Sequence, residues 1–96
     1  MYAITATSYR AIASAADVLP GETAVDTVPE SLITVLLAFD VRRQRDALLA
    51  ACDWTQAADS PLGAATRAAW ATYRTALRNV PQQNGFPDTV TWPTQP

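Results

Sequence analysis

Two long stretches without glycine or proline constrain this chain most, because they predict two helices. The first follows Pro29 and continues to Cys52, and the second runs from Ala64 to about Asn79. Large apolar residues recur at roughly helical spacing along both stretches, and alanine adds high helix propensity to the second. We therefore predict helices over residues 29–52 and 64–79, joined by a loop whose length suits antiparallel neighbours.

The segment before the first helix predicts short β structure. Residues 2–12 mix β-branched and aromatic residues with alanine, which favours a strand, and Pro20-Gly21 occupies the centre of a predicted type II turn. A second strand over Thr23–Val28 can then return against the first. The predicted fold class is α+β and mainly helical, a single small domain with a strand segment at 1–28 and a helical region at 29–96.

The end of the chain predicts an extended tail rather than a third helix. Four prolines lie in the last 16 residues, and each one biases its predecessor towards extended backbone. Phe86, Val90 and Trp92 are too apolar for a purely solvated tail. We expect the tail to pack back on the helices with Trp92 docked.

The composition predicts a thin core. Alanine accounts for 19 of the 47 hydrophobic residues, which leaves 28 larger apolar side chains in 96 residues. We therefore expect marginal stability for the chain alone, or stabilisation by a partner or by a homo-oligomer. The predicted core residues are Leu36, Phe39, Leu48, Leu49, Trp70, Tyr73 and Leu77.

Several chemistries are not predicted. There is no histidine or lysine to activate a nucleophile, Cys52 is the one cysteine, and the three glycines are scattered. The arginine cluster at residues 42–45 is bracketed by Asp40 and Asp46, so it indicates a solvated helix face rather than a nucleic-acid site. The longest apolar run, Leu32–Phe39, is too short for a membrane span of about 20 residues. We predict a soluble intracellular protein that is not an enzyme and has no cofactor, no metal, no nucleic-acid partner and no membrane partner.

An aromatic and arginine-rich surface in the second half is the strongest candidate for function. Tryptophan, tyrosine and arginine are the residue types enriched at interaction hot spots. For Trp70, Tyr73 and Leu77 the core is the favoured interpretation, and for Arg74 and Arg78 a solvated helix charge is favoured over partner binding. The candidate partner-binding residues are Trp54, Arg74, Arg78, Phe86, Trp92 and Pro93.

Several ordered motifs resemble those of one family. They are Arg42–Gln56, Asp59–Leu62, Ala69–Arg78, Gly85–Pro87 and Trp92–Pro93. Together they resemble the phage tail assembly chaperone family over about residues 41–96. In the front part, Tyr9–Ile12, Gly21–Thr23 and Val28–Leu32 resemble the leading segment of small phage tail-fibre-associated proteins. Cys52 and Gly63 depart from the family pattern, which has small polar residues there.

The resemblance implies a function in phage tail assembly. A member of this family would bind a phage tail or tail-fibre protein and hold it ready for assembly in the host cytoplasm. The alternative is a permanent structural component of the virion tail or tail fibre that uses the same aromatic and arginine-rich surface. As a hypothesis of mechanism, we expect Arg74 and Arg78 to orient a partner through its carboxylates or carbonyls.

Overall fold

The computed structural model describes residues 1–96, and the chain divides into two compact units, Met1–Leu37 and Ala38–Pro96. The division falls inside the first helix, α1, which spans Glu30–Ala51. The sequence predicted a change of structure at residues 28 and 29, where the sheet segment ends. In the structure, α1 begins at Glu30, and its first two turns belong to the same compact unit as the sheet.

The N-terminal unit contains a three-stranded antiparallel sheet. Its strands are β1 (Tyr2–Ile4), β2 (Tyr9–Ala11) and β3 (Thr23–Val25), in the order β2-β1-β3. The return of β3 against β1 confirms the predicted pairing. Residues 2–12 form a hairpin rather than one strand, because the Thr5 amide donates to the Ser8 carbonyl at 2.9 Å and places Ala6 in the turn.

The predicted turn before β3 is present. The Glu22 amide donates to the Leu19 carbonyl at 3.0 Å, and Gly21 has a φ of 87°. A positive φ at this position is the requirement of a type II turn, and glycine meets it without a steric cost. Pro20 and Gly21 therefore set the direction in which the chain enters β3.

One row of side chains across the sheet explains why alanine occupies the centre of β1. Ala3 lies directly opposite Arg10 on β2 and Ala24 on β3, so the three side chains share a face. The Arg10 guanidinium donates to the Glu22 carboxylate at 2.8 and 3.0 Å, just before β3. Two small residues leave room for this reach, and Ala3 is only 1% exposed.

The C-terminal unit packs the end of α1 against the second helix, α2 (Ala64–Arg78). Its buried cluster consists of Cys52, Tyr73 and Leu77, with Leu48, Leu49, Trp70 and Trp92 packed against it. Trp70 of α2 meets Trp54, which lies just after α1, and Arg74 of α2 meets Leu49 near the end of α1. The predicted helices are thus confirmed within two residues at each end.

Two predicted core residues of α1 lie elsewhere. Phe39 is 49% exposed, which contradicts its prediction as a core residue, and Leu36 is half-buried in the N-terminal unit. Val41 is buried, and Phe39 lies two residues earlier. Because successive helical residues are rotated by about 100°, a helix that buries Val41 must turn Phe39 outward.

The tail packs back on this unit, as predicted. Gln83 binds both backbone groups of Thr91: its amide nitrogen donates to the Thr91 carbonyl at 2.8 Å and its amide oxygen accepts from the Thr91 amide at 2.9 Å. Trp92 follows directly and packs against the core cluster. The Gln83 side chain therefore acts as a clamp that positions Trp92.

Candidate partner-binding surface

Arg74 ties α2 to the end of α1 and to the two residues that follow α1. Its guanidinium donates to the Asp53 carboxylate at 2.7 Å, to the Leu49 carbonyl at 2.8 Å and to the Cys52 sulfur at 3.2 Å. Burial acts to lower the pKa of Arg74, but the hydrogen bonds to Cys52 and Asp53 outweigh it, so the pKa is raised. The side chain is 14% exposed.

Arg67 fixes the loop between the helices. Its Nη2 donates to the carbonyls of Ala57 and Ser60 at 3.1 and 3.4 Å. Gln56 makes the reciprocal contact, since its side-chain amide donates to the Arg67 carbonyl at 3.1 Å. Two of the three arginines of α2 therefore hold the loop rather than face solvent.

Trp54 is the exposed end of a row of three aromatic rings, which we call the aromatic row. Trp54 and Trp70 have ring centroids 6.5 Å apart, and Trp70 meets Tyr73 edge-to-face at 5.7 Å. Tyr73 is 5% exposed, whereas Trp54 is 52% exposed. The row thus connects the buried cluster to the surface, and its outer ring is presented on a supported loop.

Pro93 lies in a groove between α2 and the tail. The groove has a volume of about 350 Å³. Its lining residues are Ala69, Thr72, Tyr73, Ala76, Pro93, Thr94 and Pro96. Trp92 lies just before the groove, half-buried against the core. The groove is apolar on the helix side, because that side offers alanine methyl groups and an aromatic ring.

The remaining predicted residues differ in their surroundings. The Arg42 guanidinium lies 5.2 Å from the centre of the Phe86 ring, so Phe86 is half-buried under a cation. Arg78 is exposed and donates to the Thr75 hydroxyl at 3.3 Å, with no carboxylate partner. No ring–ring contact joins Phe86 or Trp92 to the aromatic row.

The candidate partner-binding residues therefore fall into exposed residues and residues bonded within the chain. Trp54 and Arg78 are exposed, whereas both terminal nitrogens of the Arg74 guanidinium donate to groups within the chain. Arg74 has an internal structural role, and its role towards a partner stays a prediction. Its spacing gives the reason, because Arg74 lies four residues after Trp70 on the helix face that turns towards the core.

Arg67, Gln83 and Gly85 were missed as positioning residues. A Cβ on Gly85 would lie 2.9 Å from both the Thr89 Cβ and the Thr89 carbonyl oxygen, so only glycine fits there. The signal for Arg67 was present in the sequence, since it lies seven residues before Arg74 on the same helix face. Nothing in the sequence marks Gln83 as the partner of Thr91.

Two further observations limit the chemistry. No three histidine, cysteine or carboxylate side chains lie close enough together to hold a metal ion. None of the helices combines the length and the apolar character that crossing a membrane requires. What the surface offers is apolar and aromatic contact area, backbone groups and two exposed arginines without a carboxylate partner, Arg42 and Arg78.

A family model described as phage tail assembly chaperone protein matches residues 38–96. This chain belongs to that family. The match covers more than half of the chain and begins at the residue where the second compact unit begins. No curated protein and no solved structure shows a significant match. Family membership assigns the chain a chaperone role in phage tail assembly.

Proposed function

We propose that the chain is a transient chaperone that binds an apolar region of a tail or tail-fibre polypeptide and covers it until assembly. The observation that carries this proposal is Trp54: a large ring that is half exposed and supported from behind by Trp70 and Tyr73. A tryptophan fixed in this way offers contact area with little ordering cost on binding.

The loop that carries Trp54 supports the same interpretation. Arg74 holds Asp53, the residue before Trp54, and Arg67 holds the carbonyls of Ala57 and Ser60 behind it. A loop tied at both sides loses less conformational entropy on binding than a mobile one. The surface is therefore preorganised for an apolar partner.

Arg78 and the groove beside Pro93 are two further candidate contact sites in the same compact unit. Arg78 has no internal carboxylate and can donate to carbonyls or carboxylates of a partner. The groove offers alanine methyl groups and the Tyr73 ring to an apolar side chain. Both belong to residues 38–96, the part of the chain that the family model matches.

Co-expression tests this proposal. The chain is produced together with each tail and tail-fibre polypeptide of the same phage, and the soluble fraction of that polypeptide and its co-purification are measured. We expect one polypeptide to be soluble only with the chain and Trp54→Ala to reduce its co-purification about tenfold. Phe39→Ala is the matched control, since it removes an aromatic ring of similar exposure outside the aromatic row.

Two results would contradict the proposal. Equal loss of binding in both variants would remove the special role of Trp54. Quantitative mass spectrometry of purified virions gives the second result, because a transient chaperone is absent from finished particles. A fixed copy number in virions would instead establish a permanent component of the tail.

A further inference from the structure

The free edge of β2 has no counterpart in the family match, because it lies in residues 1–37. The hydrogen bonds on either side of β2 show which of its backbone groups are paired with β1. The Thr5 amide donates to Ser8, and the Ile12 amide donates to Met1. In an antiparallel pair, hydrogen-bonded positions alternate with non-bonded ones. Tyr9 and Ala11 are therefore non-bonded positions towards β1, and their N–H and C=O groups point away from the sheet.

These four outward groups have no partner within the protein. Neither residue takes part in any backbone or side-chain hydrogen bond of the loops and turns around the sheet. All three residues of β2 are exposed, and the Tyr9 side chain is 50% exposed. An unpaired strand edge is a template for one more strand.

Apart from its short length of three residues, β2 lacks the usual protections of such an edge. Natural edge strands are often shielded by a charged side chain, by proline or by a bulge. The one charged residue of β2 is Arg10, and its guanidinium lies across the sheet at Glu22 and at the Asp17 carbonyl. The edge thus keeps its donors and acceptors free while its only charge is held elsewhere.

Charge decides between two kinds of added strand. The N-terminal unit carries one arginine, already paired with Glu22, against four carboxylates. They are Asp17, Glu22, Asp26 and Glu30. A second copy of the chain would bring two net-negative units together. A neutral or basic segment of another polypeptide meets no such repulsion.

We propose that the free edge of β2 binds a neutral or basic extended segment of the tail polypeptide as a fourth strand. This proposal rests on the proposed function for its partner. It adds a second contact to the tail polypeptide, in the part of the chain outside the family match. This contact binds extended backbone through hydrogen bonds, whereas the first binds apolar side chains.

Amide exchange tests the proposal directly. The ¹⁵N-labelled chain is measured alone and in complex with the tail polypeptide obtained by co-expression. We expect the Tyr9 and Ala11 amides to exchange freely in the chain alone and to slow at least about tenfold in the complex. The Arg10 amide, which faces β1, is protected in both states and reports that the sheet is intact.

A pair of proline variants gives the matched comparison. Ala11→Pro removes an outward N–H of the β2 edge, and Ala24→Pro removes the outward N–H of the opposite edge strand. We expect Ala11→Pro to weaken binding about five- to tenfold and Ala24→Pro to leave it unchanged. Should Ala11→Pro disturb the sheet, the exchange measurement on the unmodified chain decides alone.

Each other outcome overturns the proposal in a different way. If no tail polypeptide binds, the proposed function fails together with it. If binding depends on Trp54 while Tyr9 and Ala11 stay unprotected, only the edge proposal fails. If both amides become protected when the chain alone is concentrated, a second copy occupies the edge instead.

Discussion

An ion pair joins Arg74 of the second helix to Asp53, the residue directly before Trp54, with 2.7 Å between Arg74 Nη2 and Asp53 Oδ1. The carboxylate is 66% exposed, while the arginine is 14% exposed. The ion pair itself is therefore screened by solvent, and most of the stabilisation comes from the bonds to Leu49 and Cys52. Arg74 thus fixes the geometry of the candidate surface from inside.

The first prediction concerns this residue. Arg74→Ala should lower the free energy of unfolding by about 2 kcal/mol, because it leaves the Leu49 carbonyl without its charged donor. Urea denaturation at neutral pH measures the change. Arg78→Ala, on the exposed side of the same helix, should change stability by less than about 0.5 kcal/mol. Equal effects of the two substitutions would contradict the internal role of Arg74.

Gly85 gives a test of close packing in the tail. Gly85→Ala should destabilise the chain by about 1–3 kcal/mol, because the new Cβ meets Thr89 backbone and side-chain atoms at 2.9 Å. Gly63→Ala is the control, since nothing lies within 4 Å of its Cβ position. There the loss of a favourable N-cap and the stiffer unfolded chain roughly offset each other. Thermal unfolding of both variants decides whether Gly85 is required.

Gln83 should control the order of the tail. Gln83→Ala removes both hydrogen bonds to Thr91, so the Thr91 amide should lose its protection from hydrogen exchange and Trp92 should become more mobile. Gln82→Ala, at the exposed neighbouring position, should leave Thr91 protected. Exchange followed residue by residue separates the two. Unchanged protection in Gln83→Ala would mean that Trp92 alone holds the tail.

Glu22 gives a pH dependence. Its bidentate bonds from Arg10, together with the bond from the Leu19 amide, lower the pKa of Glu22 to about 2 from 4.5. A lowered carboxyl pKa stabilises the folded state above the unfolded value and loses this contribution as the pH falls. The N-terminal sheet should therefore weaken between about pH 4.5 and pH 2.

Carbon-13 NMR of the Glu22 carboxyl measures this titration. Glu22→Gln should abolish the part of the pH dependence that belongs to this residue, and exchange at the Ala3 amide should report the loss of the sheet. A Glu22 titration near pH 4.5 in the folded chain would show that the Arg10 contact is weak in solution.

The sequence by itself determined the local structure. Breaker-free stretches and apolar spacing located both helices, and Pro20-Gly21 located the turn that sends β3 back against β1, because these preferences depend on neighbouring residues. The family also followed from the sequence, since its motifs are ordered runs within residues 41–96. Tyr73 and Leu77 were assigned to the core correctly, because a thin core needs its few large side chains.

Only the tertiary structure decided how individual side chains are used. Phe39 is exposed and Arg74 is internal because the position of each side chain depends on which face of its helix packs against the rest of the protein. Residues far away in the chain determine which face that is. The Gln83 clamp and the space at Gly85 depend on the path of the tail in the same way. The free β2 edge is a property of pairing, since the sequence of Tyr9–Ala11 does not say which neighbour takes its hydrogen bonds.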